Sequence, residues 1–265
     1  MPEGDTVFRA ARRLDRSLSG RVLVRSDLRV PAHATADLVG GTVLETVSRG
    51  KHLLTRLRHH EHDWTLHTHL KMEGSWQVYT PGQRWRRPAY QARVVLGVDG
   101  ADAVGFSLGM VDLLPTSEEH TVVGHLGPDL LGPEWSETEA VHRLLADPAR
   151  TLAEALLDQR NLAGLGTMYV AELCFLLGVH PTATVADVPD VLTLVRRGQQ
   201  LLRANISRAT QTTTGDLRDP HWVFRRERTG CRRCGTPVRV STIGREPTSR
   251  VVYACPSCQR GATDR

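Results

Sequence analysis

Cys231-Arg232-Arg233-Cys234 and Cys255-Pro256-Ser257-Cys258 are two Cys-x2-Cys pairs with twenty residues between them. That spacing suits four thiolates around one tetrahedral zinc, each pair held in a tight turn. Four protein ligands leave no position for a water, so the expected role of the one Zn2+ is structural. Disulfides are the competing chemistry. No secretory leader and no membrane-spanning apolar run is visible, and the reducing, cytoplasmic setting this implies favours metal. The fifth cysteine, Cys174, lies in the apolar stretch 171–177 and reads as a buried small hydrophobe rather than a nucleophile.

Charge is concentrated around these cysteines. The chain holds 34 basic and 29 acidic side chains, a net of +5. Residues 221–265 contain 10 arginines against Glu227, Glu246 and Asp264, a net of +7, which leaves −2 for residues 1–220. Four metal-bound thiolates would not cancel that excess. A basic ribbon on a near-neutral body points to a polyanion, most simply nucleic-acid phosphate, with a solvated basic face as the alternative.

At 265 residues the chain can form two modest domains, each with its own core. Residues 5–18 predict a helix: Val7, Ala10, Ala11, Leu14 and Leu18 recur at helical spacing, with Asp5 or Thr6 as the cap. From 21 to about 114 short strand-like runs alternate with turns, at 22–24, 42–44, 52–57, 64–69, 75–79, 92–98 and 103–107, the pattern of a β-sandwich. Residues 115–136 are rich in proline and glycine and read as a linker. Helical periodicity then returns at 137–147, 151–157, 167–177 and 188–212. Between the second and third of these, Asp158-Gln159-Arg160-Asn161-Leu162-Ala163-Gly164-Leu165-Gly166-Thr167 predicts a sharp turn into a helix with Thr167 as its cap. A helix start presented in this way can bind phosphate; a plain helix hairpin is the alternative. The run Arg58-His59-His60-Glu61-His62 reads as an exposed hairpin turn rather than a metal site.

Two further features concern reactive amines. Removal of Met1 from Met1-Pro2-Glu3-Gly4 makes Pro2 a terminal secondary amine. Terminal amines have a reference pKa of about 7.7–8.0, so a large fraction is unprotonated near neutrality and able to attack a carbonyl-like carbon to form an iminium. Glu3 stands next to it as a proton donor or acceptor. Only Lys51 and Lys71 are lysines among the 34 basic side chains. Arginine replaces lysine as a surface charge but not as a proton-exchanging amine, so Lys51, in Gly50-Lys51-His52-Leu53-Leu54, is a candidate functional residue.

Met1-Pro2-Glu3-Gly4, Gly50-Lys51-His52-Leu53-Leu54, His69-Leu70-Lys71-Met72-Glu73-Gly74, the Asp158-Gln159…Gly164-Leu165-Gly166 turn and the four-cysteine ribbon occur in that order along the chain. In this conjunction the chain resembles the Fpg/Nei family of DNA glycosylases over its full length, and is most similar to the actinobacterial endonuclease VIII branch. The resemblance implies an α+β fold: a leading helix and β-sandwich (1–114), a linker (115–136), a helix-two-turns-helix domain (137–220) and a zinc β-hairpin (221–265), with DNA held between the lobes. It implies a monomer that removes oxidised bases, chiefly pyrimidines, from double-stranded DNA and cleaves the abasic strand; the alternatives are an abasic-site lyase or oxidised-purine glycosylase of weak lesion selectivity, and a catalytically silent DNA-binding relative. Single-stranded DNA is a further candidate substrate, and no membrane partner is expected. Pro2 would be the nucleophile on the sugar C1′ and Glu3 the general acid that opens the sugar. Lys51 would bind phosphate and assist. Arg250 and Thr167 would contact DNA phosphates, and His69 would be another DNA contact. Met72 would fill the gap left by the flipped base, and Glu172 would face the lesion. The sequence departs from the family pattern at Asp5, Thr6 and Thr167. It departs also at Leu108-Gly109-Met110-Val111-Asp112, which stands in place of an Arg-Phe loop that enters the DNA opposite the lesion in many relatives.

Overall fold

The computed structural model describes residues 2–245 and 249–261. It divides into two compact units, Met1–His125 and Leu126–Arg265.

In the first unit, helix α1 (Gly4–Leu18) buries Val7, Ala11, Leu14 and Leu18, one stripe of a 3.6-residue repeat. Each of these is at most 2 % exposed. Burial stabilises such leucines and valines by about 1.5–3 kcal/mol each relative to exposure. The cap differs from the expectation of Asp5 or Thr6. Glu3 is the residue before the first turn, in extended conformation, and its carbonyl accepts the Val7 N–H at 3.0 Å. Asp5 sits inside the first turn and is buried.

Helix α1 packs in one apolar cluster with two antiparallel four-stranded sheets. One sheet has the order β1 (Leu23–Leu28), β6 (Ala92–Val98), β7 (Ala101–Phe106), β5 (Ser75–Tyr79). The other has the order β2 (Thr42–Arg49), β3 (His52–His59), β4 (His62–His69), β8 (Met110–Pro115). Strand β8 was not expected. It forms because Val111 and Leu113, on one face of the strand, pack into the apolar cluster, and it runs in register against β4 with His67 opposite Asp112 and His69 opposite Met110. The five residues read as a substitute for a DNA-entering loop are therefore a buried Leu108, a Gly109 whose N–H donates to the His69 carbonyl, and the first half of a strand. His60 and Glu61 form a two-residue hairpin turn, with His60 at φ 54°.

The segment expected as a linker begins with helical turns, including α2 (Glu119–Val123), and the division between the units falls inside it. The second unit holds α3 (Glu137–Leu145), α4 (Leu152–Leu157), α5 (Thr167–Leu176) and α6 (Val191–Asn205). Helix α6 is shorter than the 188–212 expected from periodicity. Asp190 caps it by accepting from the Leu192 and Thr193 amides at 2.9 and 3.1 Å. The Asn205 side chain closes the other end by exchanging hydrogen bonds with the Thr212 backbone at 2.8 and 2.9 Å. Strands β9 (Arg239–Ile243) and β10 (Arg250–Ala254) form an antiparallel hairpin that packs with the helices. Among the described residues no helix is long and apolar enough to cross a membrane.

Candidate active site and metal centre

In the first unit, Pro2 is half-buried and Glu3, at the mouth of α1, is 1 % exposed. A carboxylate at a helix N-terminus faces unpaired amides and the positive end of the dipole. Lys51 is half-buried in the two-residue turn joining β2 to β3, where Gly50 takes φ 58°. His69 ends β4 opposite His52. Beyond it the chain turns sharply: Lys71 adopts φ 52°, and its N–H donates to His69 Nδ1 at 2.9 Å. Met72, at the tip, is 62 % exposed, an unusual place for a long apolar side chain and one that suits a wedge. Gly109 underlies this turn. A Cβ there would stand 2.7 Å from Lys71 Cβ, so the close approach requires glycine.

Sequence reasoning missed a histidine cluster beside these residues. His52 Nδ1 lies 2.8 Å from His67 Nε2, and His67 Nδ1 lies 3.1 Å from an Asp112 carboxylate oxygen. The His52 ring stacks on His67 and meets the rings of His69 and His125 edge-on, at 4.9 and 6.3 Å. Burial, then the neighbouring His69, His67, His125 and Lys71, pushes His52 down to about 3. Burial, then Lys71, Lys51 and His67, pushes His69 down to about 4. Both rings are therefore neutral at physiological pH. The signal was present in the alternation His67-Thr68-His69, which puts two imidazoles on one face of β4, but their partners on β3 and β8 are distant in sequence.

In the second unit, the turn before α5 is held by Gln159. Its side chain donates to the Leu157 and Leu165 carbonyls at 2.8 and 3.0 Å and accepts the Gly164 N–H at 3.0 Å. Gly166 rather than Thr167 is the cap, and Thr167 is the half-buried first residue of α5. Glu172 is not placed to face a ligand. It is fully buried, and its two oxygens accept the amides of Trp222, Val223 and Phe224 at 2.8, 2.9 and 2.8 Å and the Thr213 hydroxyl. The carboxylate goes inward because it supplies acceptors to a loop whose amides have no strand or helix to serve them. Arg250 opens β10 on an exposed position.

The four ribbon sulfurs all lie within 4.8 Å of one another, with Cys234 3.5 Å from both Cys255 and Cys258, and Cys231 4.0 Å from Cys258. These separations are far longer than the ~2.0 Å of a disulfide. They match the roughly 3.8 Å edge of a tetrahedron with ~2.3 Å metal–sulfur bonds. The set can hold a metal ion, and among the described residues it is the one cluster of metal-ligating side chains so arranged. Cys174 lies apart, fully buried, its thiol pushed up to about 12 by burial.

Residues 1–112 match the formamidopyrimidine-DNA glycosylase N-terminal domain, and residues 126–216 match the H2TH domain of the same enzymes. The chain belongs to the Fpg/Nei family. It is 53 % identical to a probable endonuclease 8 2 of Streptomyces coelicolor, over 100 % of this chain and 96 % of that protein. It is 45 % identical to the DNA-(apurinic or apyrimidinic site) lyase Nei2 of Mycolicibacterium smegmatis, over 98 % of this chain and 99 % of the other. Its fold is that of the Lactococcus lactis Fpg solved in complex with DNA containing an abasic site, with a TM-score of 0.79 at 20 % identity over 98 % of this chain and 100 % of that one. The four-cysteine ribbon lies beyond the two matched regions, in the C-terminal part of the second unit.

Proposed function

We propose that this Fpg/Nei chain is a bifunctional DNA glycosylase and abasic-site lyase of base-excision repair, acting in the cytoplasm as a monomer on double-stranded DNA. Oxidised pyrimidines are its leading substrates. The observation that carries the reading is the pairing of Pro2 with a buried Glu3 at the start of α1, in a chain of this family.

The chemistry follows from those two residues. The Pro2 nitrogen lone pair attacks the sugar C1′; the bond to the damaged base breaks with its electron pair leaving on the base, which takes up a proton as the proline nitrogen gives one up. Glu3 protonates the ring oxygen, so the sugar opens as the iminium forms. The iminium acidifies the C2′ protons; loss of one expels the 3′ phosphate by β-elimination, and a second elimination expels the 5′ phosphate. Lys51 binds a phosphate and assists proton transfer. His69, Thr167 and Arg250 position the backbone, and Met72 occupies the gap left by the flipped base. Glu172 holds the 222–224 loop instead of touching DNA. Cys231, Cys234, Cys255 and Cys258 hold one zinc, which with four thiolates supplies folding free energy to the ribbon and no reactive position.

The test is borohydride trapping. Reduction of the iminium should crosslink the protein to abasic-site DNA, with the adduct mapped to Pro2 by mass spectrometry. A Pro2→Gly protein that crosslinks equally well through Lys51 would overturn the assignment.

A further inference from the structure

Three hydrogen bonds decide which nitrogen of each clustered histidine carries its proton. Asp112 offers only acceptor oxygens when ionised, so His67 meets it with Nδ1–H. His67 Nε2 is then a lone pair, and His52 meets it with Nδ1–H, leaving the His52 Nε2 lone pair outward from that bond. Independently, the Lys71 amide donates to His69 Nδ1, so His69 carries its proton on Nε2. The order of the chain is Asp112, His67, His52, and the His52 ring packs edge-on against His69. The anchor is firm: His67 is 1 % exposed on its side chain, between β3 and β8, while Asp112 is reachable at 45 %. Glu119, Lys51, Lys71 and His125 are the other charged or titratable groups acting on these rings.

We propose that Asp112 and His67 are positioning residues. They lock the His52 ring, and through it hold His69 with its Nε2–H presented to a DNA phosphate. The inference rests on the functional reading above, in which His69 contacts the backbone. A ring held in this way donates a hydrogen bond without carrying a charge, so its contribution to affinity is separable from that of a cation. Counterion release follows cationic neutralisation of phosphates. His69→Ala should therefore weaken binding while leaving the salt slope unchanged.

The experiment uses the full-length protein and a duplex with a reduced, uncleavable abasic site. Long-range 1H–15N spectra of histidine-labelled protein should show His52 and His67 protonated on Nδ1 and His69 on Nε2. His67→Leu should lower affinity roughly tenfold, the effect of one well-placed hydrogen bond, and His69→Ala should do the same. The double variant should bind no more weakly than His69→Ala alone. His67→Gln, whose amide can donate to Asp112 and accept from His52, should recover most of what His67→Leu loses. If His67→Leu fails to fold, Asp112→Ala gives the same test at a half-exposed position, as loss of the single-tautomer spectrum of His52 with weakened binding. Affinity unchanged in His67→Leu or Asp112→Ala while His69→Ala is impaired would overturn the relay and leave the His69 contact standing. Full affinity in His69→Ala would overturn both. A wild-type His52 protonated on Nε2 would overturn the relay alone.

Discussion

At the scale of the residue, Glu172 shows how a polar side chain can be mistaken for a ligand contact. Its position in the chain matches a family carboxylate, yet its oxygens serve three backbone amides and a hydroxyl in the interior of the second unit. Leaving a buried donor unsatisfied costs about 1–3 kcal/mol. Glu172→Ala strands three such amides, so we expect a loss on the order of 3 kcal/mol or more, seen as a drop of about 10 °C in the thermal midpoint of a domain this size. Glu172→Gln, which keeps one acceptor oxygen, should lie between. An unchanged midpoint in Glu172→Ala would show that the loop finds its partners elsewhere. Pro2 is the opposite case: the chemistry proposed for it needs only that removal of Met1 leave a terminal secondary amine.

At the scale of the element, the β3–β4 hairpin places His52 opposite His69 and makes the first unit sensitive to acid. The folded-state pKa values, about 3 for His52 and about 4 for His69, lie below the ordinary histidine value near 6.5. Below pH ~6.5 the unfolded chain therefore binds protons that the folded chain refuses, and stability falls as pH falls from there toward 4. Two histidines give a loss on the order of 2 kcal/mol between pH 6 and pH 5. The urea midpoint should drop over that interval, and His69→Gln should show about half the drop. A midpoint in the wild-type protein that is flat from pH 7 to pH 5 would contradict the burial of these rings. The β9–β10 hairpin has a different dependence, because its cysteines converge with few apolar residues between the strands. Structural zinc contributes on the order of 10 kcal/mol to finger-sized folds, so about one zinc per chain is expected by metal analysis. Cys231→Ser should lose that zinc, abolish the amide protection of the hairpin and weaken DNA binding. Full DNA binding by a verified metal-free protein would remove the ribbon from the mechanism.

At the scale of the whole molecule, charge separates grip from chemistry. The net of +7 over residues 221–265 against −2 over the rest assigns long-range attraction to the ribbon. Arg250, exposed at the start of β10, is the test residue. A phosphate contact carries no sequence information, so Arg250→Gln should weaken binding evenly across DNA contexts and reduce the salt slope by roughly one. Arg250→Lys should recover part of the loss, since an ammonium does not reproduce a bidentate guanidinium. Trapping at Pro2 should survive on saturating DNA. An unchanged slope and affinity would reduce Arg250 to a solvated charge.

Local pattern and global packing divided the work in a way physical chemistry explains. Periodicity in the chain was enough to place α1, seven of the sandwich strands and helices such as α3 and α6, because apolar residues recurring every 3.6 or every 2 positions must turn one face inward; α5 instead is buried all round from Met168 to Phe175, and its apolar run marks it as an interior helix. Spacing alone was enough for the cysteine ribbon, because thiolates two residues apart share a turn whatever surrounds them. Contacts between distant segments governed the rest. β8 is a strand because β4 offers it a ladder. α6 stops at Asn205 because that side chain is engaged by Thr212. Glu172 turns inward because residues 222–224 need acceptors. The Asp112–His67–His52 chain needs three strands in register before any of its hydrogen bonds exists. A hydrogen bond falls off within a few tenths of an ångström and with modest misalignment, so such groups acquire partners only once the sheets have closed.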